Sequence, residues 1–150
     1  LKIFDYTQNS LKGMSFRGKK IIMGRSLGSA SACEILSNRE EFIDACVIES
    51  GFATEYSLLD LMNIAPDSVD FNLSDGFENL RKLKKYSKPM LVIHAEKDHI
   101  IPLSEGELMH KSVLSKNKKI LVVESANHNN IIYCLRDKYF KDIRAFIDSI

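Results

Sequence analysis

The sequence predicts an α/β fold in which a parallel sheet is covered by helices on both faces. Three observations predict it. Apolar runs such as Pro89–His94 (PMLVIH) and Lys118–Val123 (KKILVV) are continuous rather than alternating, which suits strands buried on both sides. Helix-like stretches stand between these runs, so strand and helix patterns alternate along the chain. The connections are also long enough to cross from one parallel strand to the next. With 150 residues the chain reads as one domain, able to bury a real core.

Taken in order, Leu1–Gly13 mixes apolar and polar residues and reads as the tail of a helix followed by a turn. Lys19–Met23 is the first strand. Leu27 to about Asn38 is a helix closing in the polar run Ser37-Asn38-Arg39-Glu40. Phe42–Ser50 is the next strand, centred on Cys46-Val47-Ile48 and stopped by Gly51. From Ala53 to about Ser87 the pattern is least regular. Leu58, Leu59, Leu61 and Met62 mark one amphipathic turn before Pro66, and Phe77, Leu80 and Leu83 mark a helix over Asp75–Tyr86. That section has the length of a crossover with a small flap and is too short for a large cap domain. After Pro89–His94, the loop AEKDHIIP leads into a helix from about Ser104 to Leu114. Lys118–Val123 ends in the polar loop ESANHNN, and Ile131–Ile150 reads as one long helix.

Charge and composition exclude several classes. A net charge of +1 does not point to nucleic acid or an anionic membrane surface as the main partner. No apolar run approaches the ~18 residues needed to cross a bilayer. No signal-peptide pattern opens the chain, although a leucine in mid-pattern leaves an upstream signal or anchor open. Cys33, Cys46 and Cys134 are odd in number and sit in mainly apolar settings, so free buried thiols in a reducing, cytoplasmic compartment are expected. Their spacing fits no zinc pattern, and the four histidines do not combine with carboxylates at metal-ligand spacing. No metal and no cofactor are expected. Asn72-Leu73-Ser74 matches the glycosylation triplet, a short pattern that arises by chance and that the cysteine usage argues against.

The chemistry is concentrated in KKIIMGRSLGSASA, Lys19–Ala32. Gly24-Arg25-Ser26-Leu27-Gly28 between a strand and a helix is the nucleophile-elbow pattern, a tight turn that projects a serine hydroxyl beyond the sheet edge. Strand and helix approach closely there, so glycine is expected at 24 and 28, where a Cβ would clash. Ser29, Ala30 and Ala32 allow the helix to lie near the sheet. A glycine-rich phosphate turn is the bland alternative, but the Walker and dinucleotide patterns are both absent. In a parallel sheet the loops at the strands' carboxyl ends share one edge. That edge would gather Ser26, Glu49–Phe52, Asp98 and His128. An acyl-transfer site needs a nucleophile, an imidazole to take its proton and a carboxylate to orient the imidazole. Ser26, His128 and Asp98 are the candidates for those roles. Glu49 is the less favoured acid. His94 reads as a hydrogen-bonded structural residue, His99 as exposed, His110 as helix surface, and Lys82, Lys84 and Lys85 as a solvated helix face.

GRSLG, HAEKDHIIP and ESANHNN together resemble the alpha/beta-hydrolase superfamily, in particular its small cap-less serine hydrolases, the group of serine aminopeptidase-like proteins and protein depalmitoylases. The resemblance extends over nearly the whole chain, including IESGFA and NLRKLKKYSKP. It implies a triad of Ser26, Asp98 and His128 in the family's chain order, with one oxyanion-hole N–H from Leu27. Ala95 and Asn127 stand where the family usually has glycine. The strands here would correspond to the family's fifth through eighth. The first four, with the loop giving the second oxyanion donor, have no counterpart, and such a donor is worth ~10²–10³ in rate. The expectation is therefore a single, partial alpha/beta-hydrolase domain lacking its N-terminal strands. Its open sheet edge would be covered by a missing N-terminal half or by another chain. The activity implied is hydrolysis of ester, thioester or amide bonds in a small-molecule or acylated substrate. The fragment alone would be weak or inactive, and the alternative is a non-catalytic binding or scaffold protein of the same fold. Phe52, Ile100 and Ile101, with Leu58, Met62 and Leu103 beside them, are candidates for an apolar acyl pocket, with core or flap packing as the alternative.

Overall fold

Of the apolar runs, Ala45–Glu49 and Met90–Ala95 become the two central strands of a four-stranded parallel sheet, whereas Lys118–Val123, expected to be buried on both sides, is a partly exposed edge strand. The computed structural model describes residues 1–150, the Leu73 side chain excepted. The strands β1 (Ile21–Arg25), β2 (Ala45–Glu49), β3 (Met90–Ala95) and β4 (Lys118–Val123) lie in the order β1-β2-β3-β4, every pair parallel. Every residue of β2 and β3 is buried, whereas β1 and β4 are edge strands and partly exposed.

Side chains alternate between the two faces of the sheet, so each face has its own core. On one face Cys46, Ile48, Met90 and Val92 meet Ala32, Cys33 and Leu36 of α2 (Gly28–Arg39) and Met109 of α5 (Leu103–Ser112). Phe4 of α1 (Lys2–Gly13) joins this cluster, as does Leu83 of α4 (Asn79–Leu83). On the other face Ala45, Val47, Leu91 and Ile93 meet Ile131 of α6 (Ile131–Leu135) and Tyr139 and Phe146 of α7 (Asp137–Asp148). Each fully buried large apolar side chain in these layers contributes about 1.5–3 kcal/mol.

Several elements differ from expectation. The Asp75–Tyr86 helix shrinks to α4 because Glu78 adopts left-handed backbone angles and the Phe77 and Glu78 N–H groups go to the Glu55 carboxylate. Phe77 turns away to stack edge-on against Phe52, ring centroids 5.7 Å apart. The C-terminal helix breaks at Arg136, whose φ of 51° and ψ of −129° separate α6 from α7. The apolar turn before Pro66 is α3 (Tyr56–Leu61).

Three side-chain expectations also change. Cys33 and Cys46 are buried free thiols, but Cys134 is exposed. Lys82 is not a solvated residue: its side chain is 13% exposed and pairs with Glu34 at 2.6 Å. Lys84 and Lys85 are exposed, as is His99. Among the described residues, no helix is long and apolar enough to cross a membrane.

The outer edge of β1 is left uncovered. Ile21 and Ile22 are half-buried and Met23 is 50% exposed. A groove of about 860 Å³ runs between this edge, α1 and α2, lined by Phe4, Leu11, Phe16, Ile21, Ile22 and Ile35 among others.

Candidate active site

Ser26 leaves β1 and enters α2 through a left-handed turn, with φ at 51°. An L-residue rarely adopts that conformation without surrounding bonds to hold it. Here the Ser26 N–H donates to Glu49 O at 2.9 Å, tying the turn to β2, and Ser29 N–H donates back to Ser26 O at 2.9 Å. Gly24 makes the close approach possible. A Cβ there would stand 2.8 Å from Gly28 O, 2.8 Å from Ala32 Cβ and 3.0 Å from Ser29 Cα. Gly28 differs from expectation, because a Cβ at that position meets nothing within 4 Å. Its glycine is not required by neighbouring atoms.

Asp98 follows β3 on a turn that uses its own carboxylate. Oδ1 accepts the N–H groups of Ile100 and Ile101 at 3.0 and 2.9 Å. Burial pushes the Asp98 carboxyl up, but those two N–H donors and the His128 imidazole outweigh it and hold the group below its ordinary value. His128 lies in the loop after β4. Asn127 shapes that loop, its side chain accepting Asn129 N–H at 3.0 Å while its own N–H donates to the Asn130 side chain at 2.7 Å.

These three loops bring the three side chains into line. His128 Nδ1 stands 2.8 Å from Asp98 Oδ2, and His128 Nε2 stands 2.9 Å from Ser26 Oγ. The Asp98 carboxylate accepts a hydrogen bond from Nδ1–H, and this orients Nε2 to accept from the serine hydroxyl. Asp98 and His128 are 8% and 4% exposed, while Ser26 is half-buried and open to a substrate. The Leu27 N–H points from the helix start and has no acceptor among the described residues. The set can transfer a proton from serine to histidine and offer one N–H to an oxygen that becomes negative.

The other predicted residues are placed differently. Phe52 and Ile101 are fully buried and pack with Ala30, with Ile100 and Leu58 against them. Neither Phe52 nor Ile101 presents surface to an acyl chain; they are packing residues, and only Ile100 of the three is partly exposed. Glu49 does not replace Asp98: its carboxylate is held by Arg25 and by the Tyr139 hydroxyl. His94 sits beneath Asp98 and donates from Nε2 to Ile101 O at 2.9 Å. Burial is the main reason its pKa is lowered, against the opposing Ile101 hydrogen bond and the nearby Asp98. Its Nδ1 faces Gly106, where a Cβ would come within 2.3 Å. Among the described residues no group of three His, Cys, Asp or Glu side chains could hold a metal ion.

Sequence reasoning passed over Arg25. Its Nη2 reaches the His128 carbonyl oxygen at 2.6 Å, across 103 residues. Nothing in the sequence marked it, since only the structure sets Arg25 level with Glu49 across β1 and β2.

No family model matches the chain. Curated relatives do. Protein bem46 of Schizosaccharomyces pombe is 26% identical over 133 residues, covering 86% of this chain and 43% of that protein. Alpha/beta hydrolase domain-containing protein 17B of Homo sapiens is 27% identical over 130 residues, covering 86% of this chain and 41% of that protein. The chain thus spans about two fifths of the length of these relatives. Among solved structures, a monoacylglycerol lipase of Paleococcus ferrophilus superposes with a TM-score of 0.73 at 16% identity, over 98% of this chain and 73% of the lipase. A meta-cleavage product hydrolase of Pseudomonas fluorescens gives 0.66 at 14% identity, over 93% of this chain and 68% of that one. The chain has the alpha/beta-hydrolase fold, and the curated relatives it matches include alpha/beta-hydrolase domain proteins.

Proposed function

We propose that this chain carries the reacting groups of a serine hydrolase that cleaves ester, thioester or amide bonds through an acyl-enzyme. The observation that carries the proposal is the alignment of Ser26 Oγ, His128 Nε2 and Nδ1, and Asp98 Oδ2, with the serine on a left-handed turn. His128 Nε2 takes the Ser26 proton as Oγ bonds to the acyl carbon. The carbonyl oxygen gains the negative charge and accepts the Leu27 N–H. His128 then gives its proton to the departing alcohol, thiol or amine, and the acyl group stays on Ser26. Water, deprotonated by the same ring, attacks the acyl carbon; the acid leaves and Ser26 recovers its proton. Asp98 holds the ring in one tautomer throughout and stabilises the transient imidazolium.

The names of the relatives support the same reading: alpha/beta hydrolase domain-containing proteins, a monoacylglycerol lipase and a serine hydrolase of carbazole degradation. The substrate class is a small or acylated molecule. The second oxyanion donor comes from polypeptide outside these 150 residues, continuous with them or on a separate chain, that covers the edge of β1. Free thiols at Cys33 and Cys46 suit a reducing cytoplasm. A purely scaffolding role leaves the aligned serine, histidine and aspartate without a use.

Hydrolysis of a p-nitrophenyl ester by the product of the complete reading frame tests the proposal. Ser26→Ala is expected to lower kcat by about 10⁴-fold or more. A Ser26→Ala protein with wild-type turnover overturns it.

A further inference from the structure

Arg25 joins the strand that ends in the elbow to the loop that carries His128. Its Nε donates to Glu49 Oε1 at 2.9 Å, and its Nη2 donates to the His128 carbonyl oxygen at 2.6 Å. Glu49 is the last residue of β2, level with Arg25 in the parallel register and 2% exposed. Its other carboxylate oxygen accepts the Tyr139 hydroxyl from α7, and its main-chain oxygen accepts the Ser26 N–H. One guanidinium therefore binds β2 and the His128 loop at once, from the position next to the serine.

The chemistry of these groups explains how the guanidinium is aimed. A buried carboxylate survives only when paired and hydrogen-bonded, and Glu49 has a cation on one oxygen and a phenol on the other. Burial, then the hydrogen bond and charge of Glu49, push the Tyr139 phenol up, so it keeps the proton it donates. The guanidinium is planar and points its donors in fixed directions, so anchoring Nε at Glu49 aims Nη2. Asp98 fixes the tautomer of His128 but bonds only to the ring. Among the described residues, the Arg25 bond is the one hydrogen bond from β1 to the main chain of the loop between Glu124 and Asn130. The loop is also tied to the turn after β3, where Lys97 N–H donates to Ala126 O at 2.9 Å, so the Arg25 bond is its tie to the elbow side.

Resting on the hydrolase reading, we infer that Arg25, backed by Glu49 and Tyr139, is a positioning residue that holds the His128 ring in register with Ser26. A merely structural role predicts something different. If Arg25 only neutralised Glu49, any cation at that position would serve.

Arg25→Lys separates the two roles. Lysine keeps a positive charge beside Glu49, but its single ammonium lacks the fork that serves Glu49 and the His128 carbonyl together. In the product of the complete reading frame, Arg25→Lys is expected to lower kcat about 10- to 100-fold, the cost of misplacing a reacting group by a fraction of an ångström to an ångström. KM should stay within about twofold, because ester binding does not use this contact. Tyr139→Phe leaves both Arg25 bonds in place and loosens only Glu49, so kcat should fall less, at unchanged KM, with the fold retained by thermal unfolding. Wild-type kcat in both variants, or a change confined to KM, overturns the positioning role while leaving the hydrolase reading intact. A wild-type protein that never modifies or turns over an ester at Ser26 removes the hydrolase reading and this inference with it.

Discussion

At the scale of single residues, the site is a set of buried polar groups whose charges are held by neighbours, and pH exposes this. His94 and Asp98 both have lowered pKa values in the fold, so at both positions the unfolded chain binds a proton more readily. Stability therefore rises with pH across each window. As pH falls through the ordinary histidine value of 6.5, the unfolded chain gains a proton that the buried His94 refuses, and stability declines until the lowered folded value is passed. The Asp98 contribution is full above 3.8 and is lost below that, as pH falls through its own lowered value. His94→Gln, which keeps a donor for Ile101 O, should flatten the stability profile below 6.5. Urea unfolding at several pH values measures this, and parallel declines in the variant and the wild type contradict the assignment. The residue types and chain order of Ser26, Asp98 and His128 were legible because each follows an apolar run. Arg25 was not, because its partners are 24 and 103 residues away. Between pocket lining and packing, Phe52 and Ile101 fall to packing, a choice the sequence left open because apolar residues near a strand end look alike whether they face a ligand or each other.

At the scale of elements, the elbow depends on how closely β1 and α2 approach, and its two glycines are not equivalent. A Cβ at Gly24 meets the main chain of Gly28 and Ser29, which side-chain rotation cannot relieve. Gly24→Ala is expected to destabilise by about 1–3 kcal/mol. Gly28→Ala meets open space, and with no positive φ at any glycine it should be neutral or stabilising by up to about 1 kcal/mol. Equal losses in the two variants, measured by denaturant unfolding, would contradict this view of the turn. The strands and α2 were legible from continuous apolar runs and from the small residues after Ser26. The break at Arg136 was not, since its angles are imposed where α6 stays with the His128 loop while α7 lies across the sheet. The shortening of α4 was hidden for a similar reason: the Glu55 carboxylate that takes its first N–H groups lies more than twenty residues earlier.

At the scale of the whole molecule, a sheet with two buried central strands ends at β1 in an apolar edge beside an apolar groove. Edge strands of this kind pair with further polypeptide. The parallel sheet and the sharing of one sheet edge by all three reactive loops followed from the alternation of strand and helix patterns, and the expectation of an uncovered β1 followed from the family resemblance. The groove did not, because the helix pattern of α1 does not say against which strand it packs. Fluorophosphonate labelling followed by peptide mapping, on this 150-residue chain and on the product of the complete reading frame, decides whether Ser26 is the nucleophile. An adduct is expected on the Ser26 peptide of the complete product and none in Ser26→Ala, with labelling slower by about 10²-fold or more in the short chain, where the Leu27 N–H would act without a second donor. A folded complete product that carries no adduct, or carries it on another serine, rules out Ser26 as the nucleophile.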